Sequence, residues 1–293
     1  MNILAQTIAN GMIAGAIILL VASGFTLIYL ANRFVNFAHG AVVALGAFVF
    51  YALIVRVQMP LAVALLGAVV ISAIFGLALY ETVYAPLQKR RASGTILLIS
   101  SLALTVVIEN LILIVFGSGA KTVPLSWLGE PLEIAGAVIT RAHILVIAVA
   151  LSVTLLLGLF LRLAPLGIRM RAVADNPELA AINGIQIINV RRSSFMIGSL
   201  LAGLAGALIA LQESIDPGLG TALSVKGFAA MVVGGIGAPL GVPLGSFFLG
   251  IIENIVGVLL SSGYKEAAAF GVLVIFLVFR PQGILGKMKG TRL

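Results

Sequence analysis

Apolar runs long enough to cross a membrane alternate with short polar breaks along almost the whole chain. A helix needs about 20 apolar residues to span the hydrocarbon core. Runs of this kind cover residues 9–30, 38–55, 61–84, 95–117, 142–163, 193–212, 223–236, 242–260 and 265–279. Two of them depart from the pattern. Val225–Gly237 is short and glycine-rich, and Phe37–Tyr51 follows a polar break at Asn32-Arg33. Each fits a half-helix or re-entrant element as well as a crossing, because irregular backbone is tolerated at membrane depth when it is buried in protein or lines a cavity. The pattern predicts an all-α polytopic transmembrane bundle of eight or nine spans, discontinuous helices included, forming one domain over 1–293. The first run, Ile13–Leu30, has neither a basic leader nor a small-residue cleavage site, so it reads as a retained helix and not a signal peptide.

Composition agrees with this class. Hydrophobic residues make up 61% and charged residues 10% of the chain, with a mean hydropathy of +1.21; soluble domains carry roughly a quarter charged residues. Cysteine is absent, which excludes disulfides and thiolate metal sites. The net charge of +8 does not point to nucleic acid, since the basic residues stand in the connections between runs without interleaved aromatics. There they act as topology signals. Lys89, Arg90 and Arg91, then Arg162, Arg169, Arg171, Arg191 and Arg192, then Arg280, Lys287, Lys289 and Arg292, place twelve of the eighteen cations on one side. The positive-inside rule makes that side cytoplasmic, the C-terminus with it; nine spans put the N-terminus outside and eight put it inside.

Small residues recur at intervals of four: Gly11 and Gly15, Gly241 and Gly245, and Gly198, Ala202 and Gly206. Such spacing lets helix backbones approach closely, and packing within one bundle accounts for it more simply than a subunit interface. A faint likeness links Asn36–Gly40 to Gly227–Met231, as repeated transporter halves do.

Catalytic constellations are missing. The nearest approach to a phosphate loop, Gly117–Thr122, lacks the glycine before the lysine; there is no His-Glu-x-x-His helix and no Gly-x-Ser-x-Gly elbow. No catalytic residue, metal site or cofactor is expected. Intramembrane charges are few, and the carboxylates deep within spans are Glu109, beside Asn110, and Glu253, beside Asn254. A carboxylate at that depth faces protein or a water-filled path, so each either ties helices together or lines a translocation path. Asn36 and His39, at the start of a span, are further path candidates, although a lone histidine is more often a structural hydrogen-bonder.

The segment 164–192 is too polar for membrane and too patterned for a linker. Asn176 or Asp175 is placed to cap a helix, Pro177 suits its first position, and Glu178 suits the positive end of its dipole. Leu179 and Ile182, with Ile185 next in line, form an apolar stripe, and Gly184 stops the helix after two turns. So short a helix does not stand alone in water, and its stripe calls for a cover, either the protein's own loops or another subunit.

Glu178, Ala180 and Gly184 resemble the Glu-Ala-Ala, three residues, Gly loop of bacterial ABC importer permeases, with Leu179 replacing the first alanine. The whole string, together with Asn36–Gly40, Phe228–Gly237 and Arg280–Gly286, resembles the LivH-type branched-chain amino acid permease family in order and spacing over residues 8–287. That resemblance implies a permease in a bacterial inner membrane, working beside a second, LivM-like permease. Two cytoplasmic ATPase subunits would grip the loop, and a periplasmic binding protein would deliver the cargo. Leu179, Ala180 and Ile182 would then meet the ATPase, with Arg169, Arg171, Asn176, Pro177 and Glu178 around them and Gly184 as the pivot. Urea or short-amide permeases of the same family, or an ion-coupled secondary transporter whose stripe is covered within the chain, are the alternatives.

Overall fold

A computed structural model describes residues 2–124 and 129–286. Lys287, Lys289 and Arg292 of the basic tail lie outside the described residues. Eight of its helices are long and apolar enough to cross a membrane: α1 (Ile3–Asn32), α2 (Ala38–Arg56), α3 (Leu61–Lys89), α4 (Gly94–Phe116), α5 (Arg141–Leu163), α8 (Ile187–Ala210), α10 (Val242–Leu259) and α11 (Ser262–Phe279). Between α5 and α8 stand α6 (Pro165–Asp175) and α7 (Pro177–Ile182). The ninth predicted span is the shorter α9, Leu219–Gly234. Helix α2 ends in a π-turn at Ala52–Arg56, and α3 carries one at Tyr80–Tyr84 before its last α-helical turn, Ala85–Lys89.

Hydrogen bonds at the ends of these helices fix how the chain is threaded. Asn2 N–H donates to Gly136 O at 3.2 Å, which puts the start of α1 on the face that carries the 118–141 loop. The other end of α1 packs Leu27 and Ala31 onto Met170 and Val173 of α6. At the far terminus, Ile284 N–H donates to Val233 O and Leu285 N–H to Gly234 O, beside the turn whose Gly237 meets Tyr29 and Leu30. The described chain therefore begins on one face and ends on the other, as nine passes require. Of the two predicted thread counts, nine is the one observed once α9 is included.

The 118–141 loop holds an element the apolar pattern does not predict. Strands β1 (Pro131–Ile134) and β2 (Ala137–Thr140) pair antiparallel, Pro131 opposite Thr140. Gln6 grips this hairpin through Val138, donating to its carbonyl at 3.0 Å and accepting from its N–H at 2.8 Å. The hairpin runs straight into α5, where Thr140 and His143 form a reciprocal capping box.

Inside the bundle, α1–α4 and α8–α11 repeat one packing plan with α5 between them. Helix α1 lies on α10 as α8 lies on α3, and α2 lies on α8 as α9 lies on α1. The two groups run in opposite directions, the arrangement of an inverted repeat. Small residues carry both equivalent crossings: Gly11 and Gly15 meet Ile251 and Phe247, while Gly203 meets Ser72 and Ser199 meets Gly76. A Cβ at Gly11 would stand 2.8 Å from the Ile251 backbone, so only glycine permits the approach. Gly198, Gly206, Gly241 and Gly245 likewise meet helices of the same chain. The likeness between Asn36–Gly40 and Gly227–Met231 is not this repeat, because it equates the start of α2 with the middle of α9.

Candidate functional site

The predicted site residues fall into three groups. The first is the turn from α6 to α7. Asn176, extended at φ −150°, accepts from Glu178 N–H at 2.9 Å and Leu179 N–H at 3.0 Å; Asp175 ends the preceding helix, so Asn176 is the cap. Pro177 opens α7 and Glu178 stands in its first turn. Ala180 is buried against Leu161, Met170 and Val190 and anchors the helix to the bundle. Leu179 is 57% and Ile182 80% exposed, so the predicted stripe faces away from the protein. Ile185 does not extend it: it turns inward against the Ala180 cluster. Gly184 sits at φ +79°, a conformation that strains any β-branched residue. Arg169 and Arg171 are exposed, and Arg169 with Gly184 and Asn189 lines a concavity of about 430 Å³ beside the helix.

A second group surrounds the re-entrant start of α2. Here the structure corrects the expectation that His39 lies near the membrane surface. Its Nε2 lies 3.2 Å from Val21 O. Val21 is eleven residues before the end of α1, about 16 Å inward at roughly 1.5 Å per residue. Residues 33–37 thus descend into the bundle before α2 begins, which is why that span looked broken. Their polar groups are met internally, as the setting demands. Tyr84 donates to Asn36 Oδ1 at 2.8 Å, Phe37 N–H donates to Ser101 at 3.0 Å, and Ser224 of α9 donates to Phe37 O at 2.7 Å. His39 packs edge-on against Phe25, and Asn36 is enclosed. Glu109 also belongs to this region. Its Oε1 accepts from both the N–H and the hydroxyl of Thr221, at 2.8 Å each, capping the first turn of α9 from α4.

The third group lies toward the hairpin face. Glu253, only 2% exposed, pairs through Oε2 with Lys226 Nζ of α9 at 3.0 Å. Beside it Lys265 donates to Asn254 Oδ1 at 3.2 Å. These four residues, with Gln212, line a cavity of about 340 Å³. An adjoining cavity of about 320 Å³ shares Lys226, Glu253 and the exposed Glu213 with it and is also lined by Asp216 and Glu266. Of the sequence-derived path candidates, Glu253 lies on the walls of these two cavities. Lys226, Lys265 and Gln212 were not singled out as site residues. The signal was present: Lys226 lies within an apolar run, and a cation there calls for a carboxylate partner.

Apolar helices threading nine times between two faces, with a charged cavity toward one face and an exposed capped helix on the other, define a multi-pass membrane permease. The model of the branched-chain amino acid transport system permease component family matches residues 7–279, and the chain belongs to that family. It is 32% identical to the high-affinity branched-chain amino acid transport system permease protein BraD of Pseudomonas aeruginosa, over 96% of this chain and 95% of that one. It is 30% identical to the corresponding protein LivH of Escherichia coli, over the same shares of the two chains. In fold it resembles a chain of PsaBC from Streptococcus pneumoniae, solved with a Fab, at a TM-score of 0.51 and 13% identity over 91% of this chain and 89% of that one.

Proposed function

We propose that the chain is the permease subunit of an ATP-driven importer of branched-chain amino acids, which it carries together with a second, related permease. The observation that carries the reading is the pair Leu179 and Ile182, exposed on a helix that Ala180 anchors to the bundle. Burying two such side chains stabilises an interface by about 1.5–3 kcal/mol each at most, and a groove on a cytoplasmic ATPase subunit is the cover that suits them. Arg169, Arg171 and Glu178 form the polar rim of that contact. Residues 164–192 then act as the coupling segment of one membrane domain, on the cytoplasmic side of a bacterial inner membrane with the C-terminus. The opposite face, with its hairpin, receives a periplasmic binding protein that selects the cargo. ATP hydrolysis belongs to the two ATPase subunits, so the chain itself is no enzyme.

An ion-coupled transporter acting alone would cover the Leu179 and Ile182 stripe within the chain, and both side chains are uncovered. Names of the relatives favour branched-chain cargo over urea or short amides. The test is co-purification of the complex from the membrane, with Leu179→Asp and Ile182→Asp expected to release the ATPase subunits and abolish ATP-driven leucine uptake while leaving the bundle folded. Full retention of the ATPases by both variants would sink the coupling role.

A further inference from the structure

The cavity beside Glu253 carries chemistry that a coupling role leaves unused. Lys226 satisfies Glu253 Oε2, but Oε1 is buried without a hydrogen-bond partner. On the same cavity wall, Gln212 Nε2 is buried without a partner as well. Buried polar atoms are nearly always paired, and each exception calls for an explanation. One of these atoms requires a donor, best a cationic one, and the other requires an acceptor. Lys265, held on Asn254, adds a second cation at the same end.

Aliphatic side chains share these walls with the charged groups, and the adjoining cavity also carries Glu213, Asp216 and Glu266. Ile17 lines both adjoining cavities, and the second continues past Leu219 and Leu223 to Ile209. A volume of about 340 Å³ lies within the range of about 300–1,000 Å³ usual for small-molecule sites. An anionic acceptor, an amide donor and an ammonium, with Ile17, Leu219, Leu223 and Ile209 on the same walls, suit a zwitterion bearing an aliphatic side chain.

We propose that this cavity is a subsite for the amino acid in transit, resting on the import reading above and adding to it the residues that hold the cargo. Glu253 Oε1 accepts hydrogen bonds from the α-ammonium, and Gln212 Nε2 and Lys265 Nζ donate to the α-carboxylate. The aliphatic side chain lies against Ile17 and Leu223. Lys226 is a positioning residue here: its bond to Oε2 leaves Oε1 as the carboxylate oxygen without a partner.

Because the chain has no cysteine, Ala14→Cys on the cavity wall gives this subunit a single thiol. In the assembled importer in liposomes, without binding protein, modification of that thiol by a small charged reagent is followed on this subunit. Millimolar leucine is expected to slow the reaction severalfold. Neither 4-methylpentanoate, which lacks the ammonium, nor 3-methylbutylamine, which lacks the carboxylate, should do so, and Glu253→Gln should remove the protection. If Glu253→Gln does not assemble, Gln212→Ala makes the same test, since the Gln212 amide nitrogen holds no hydrogen bond. Equal protection by the acid or the amine, protection that survives both variants, or a thiol the reagent never reaches would each overturn the subsite. No protection by leucine in liposomes that still take up leucine on ATP overturns the subsite alone; no ATP-driven uptake by the unaltered complex overturns the import reading beneath it.

Discussion

Glu109 and Thr221 are joined by two hydrogen bonds at 2.8 Å, one to the threonine N–H and one to its hydroxyl, so a single carboxylate on α4 fixes where the short helix α9 begins. The first turn of a helix leaves backbone N–H groups without intrahelical partners and carries partial positive charge. Glu109 answers both features from a neighbouring helix.

Replacing Glu109 by alanine should therefore lower stability by about 0.5–2 kcal/mol, the usual cost of losing an N-terminal cap. Glu109→Gln, which keeps an acceptor oxygen, should cost less. Thermal unfolding of the purified complex in detergent measures the order of the two; equal transition temperatures for Glu109→Ala and the parent would remove the capping role.

Gly184 should respond to backbone conformation and not to size. Nothing lies within 4 Å of a Cβ built there, yet φ is +79°. Gly184→Asn should retain most ATP-driven uptake, since asparagine tolerates the left-handed region. Gly184→Val should lose much more, because a β-branched residue there is a conformational outlier. Uptake rates at matched expression decide this, and a valine variant as active as the asparagine one would contradict it.

At Gly11 the order reverses. Gly11→Ala puts a methyl 2.8 Å from the Ile251 backbone and should destabilise the α1–α10 crossing by about 1–3 kcal/mol, the range for overpacking. Gly158, within α5, has open space around it, and Gly158→Ala should stabilise by roughly 0.5–1 kcal/mol through the helix preference of alanine. Opposite shifts in unfolding temperature are the expected result; shifts of the same sign would show that backbone approach is not what selects glycine at position 11.

Tyr84→Phe should cost about 1–3 kcal/mol although only one oxygen is removed. The hydroxyl is donated to Asn36 Oδ1 in the enclosed turn before α2, so its loss leaves a buried acceptor unpaired. A double variant that also replaces Asn36 by leucine should recover part of the loss, which thermal unfolding can resolve. Additive losses would show that the two groups do not act as a pair.

Helix α7 was legible because everything that defines it is local. The cap Asn176, Pro177 and the stop at Gly184 lie within nine residues, and their chemistry needs no tertiary information. The span pattern was legible for the same reason. What the sequence left hidden depends on contacts between distant segments. His39 reads as the entrance to a helix, and only the packing of 33–37 against α3, α4 and α9 takes it to the depth of Val21. Lys226 and Glu253 are 27 positions apart on different helices, so their pairing follows from the path of α9 and α10 and not from periodicity. The hairpin Pro131–Thr140 is too short to stand out from a polar connection, and it is held by Gln6 from the other end of the sequence.

The mirrored halves also constrain how the chain is made. Synthesis inserts α1–α4 first, while the Glu109 carboxylate and the Phe37 carbonyl still lack Thr221 and Ser224. Hydrocarbon offers these groups nothing to bind, so the early helices hold an open polar seam until α9 reaches it. That seam closes only when α9 docks, so the first half of the bundle is completed by the second.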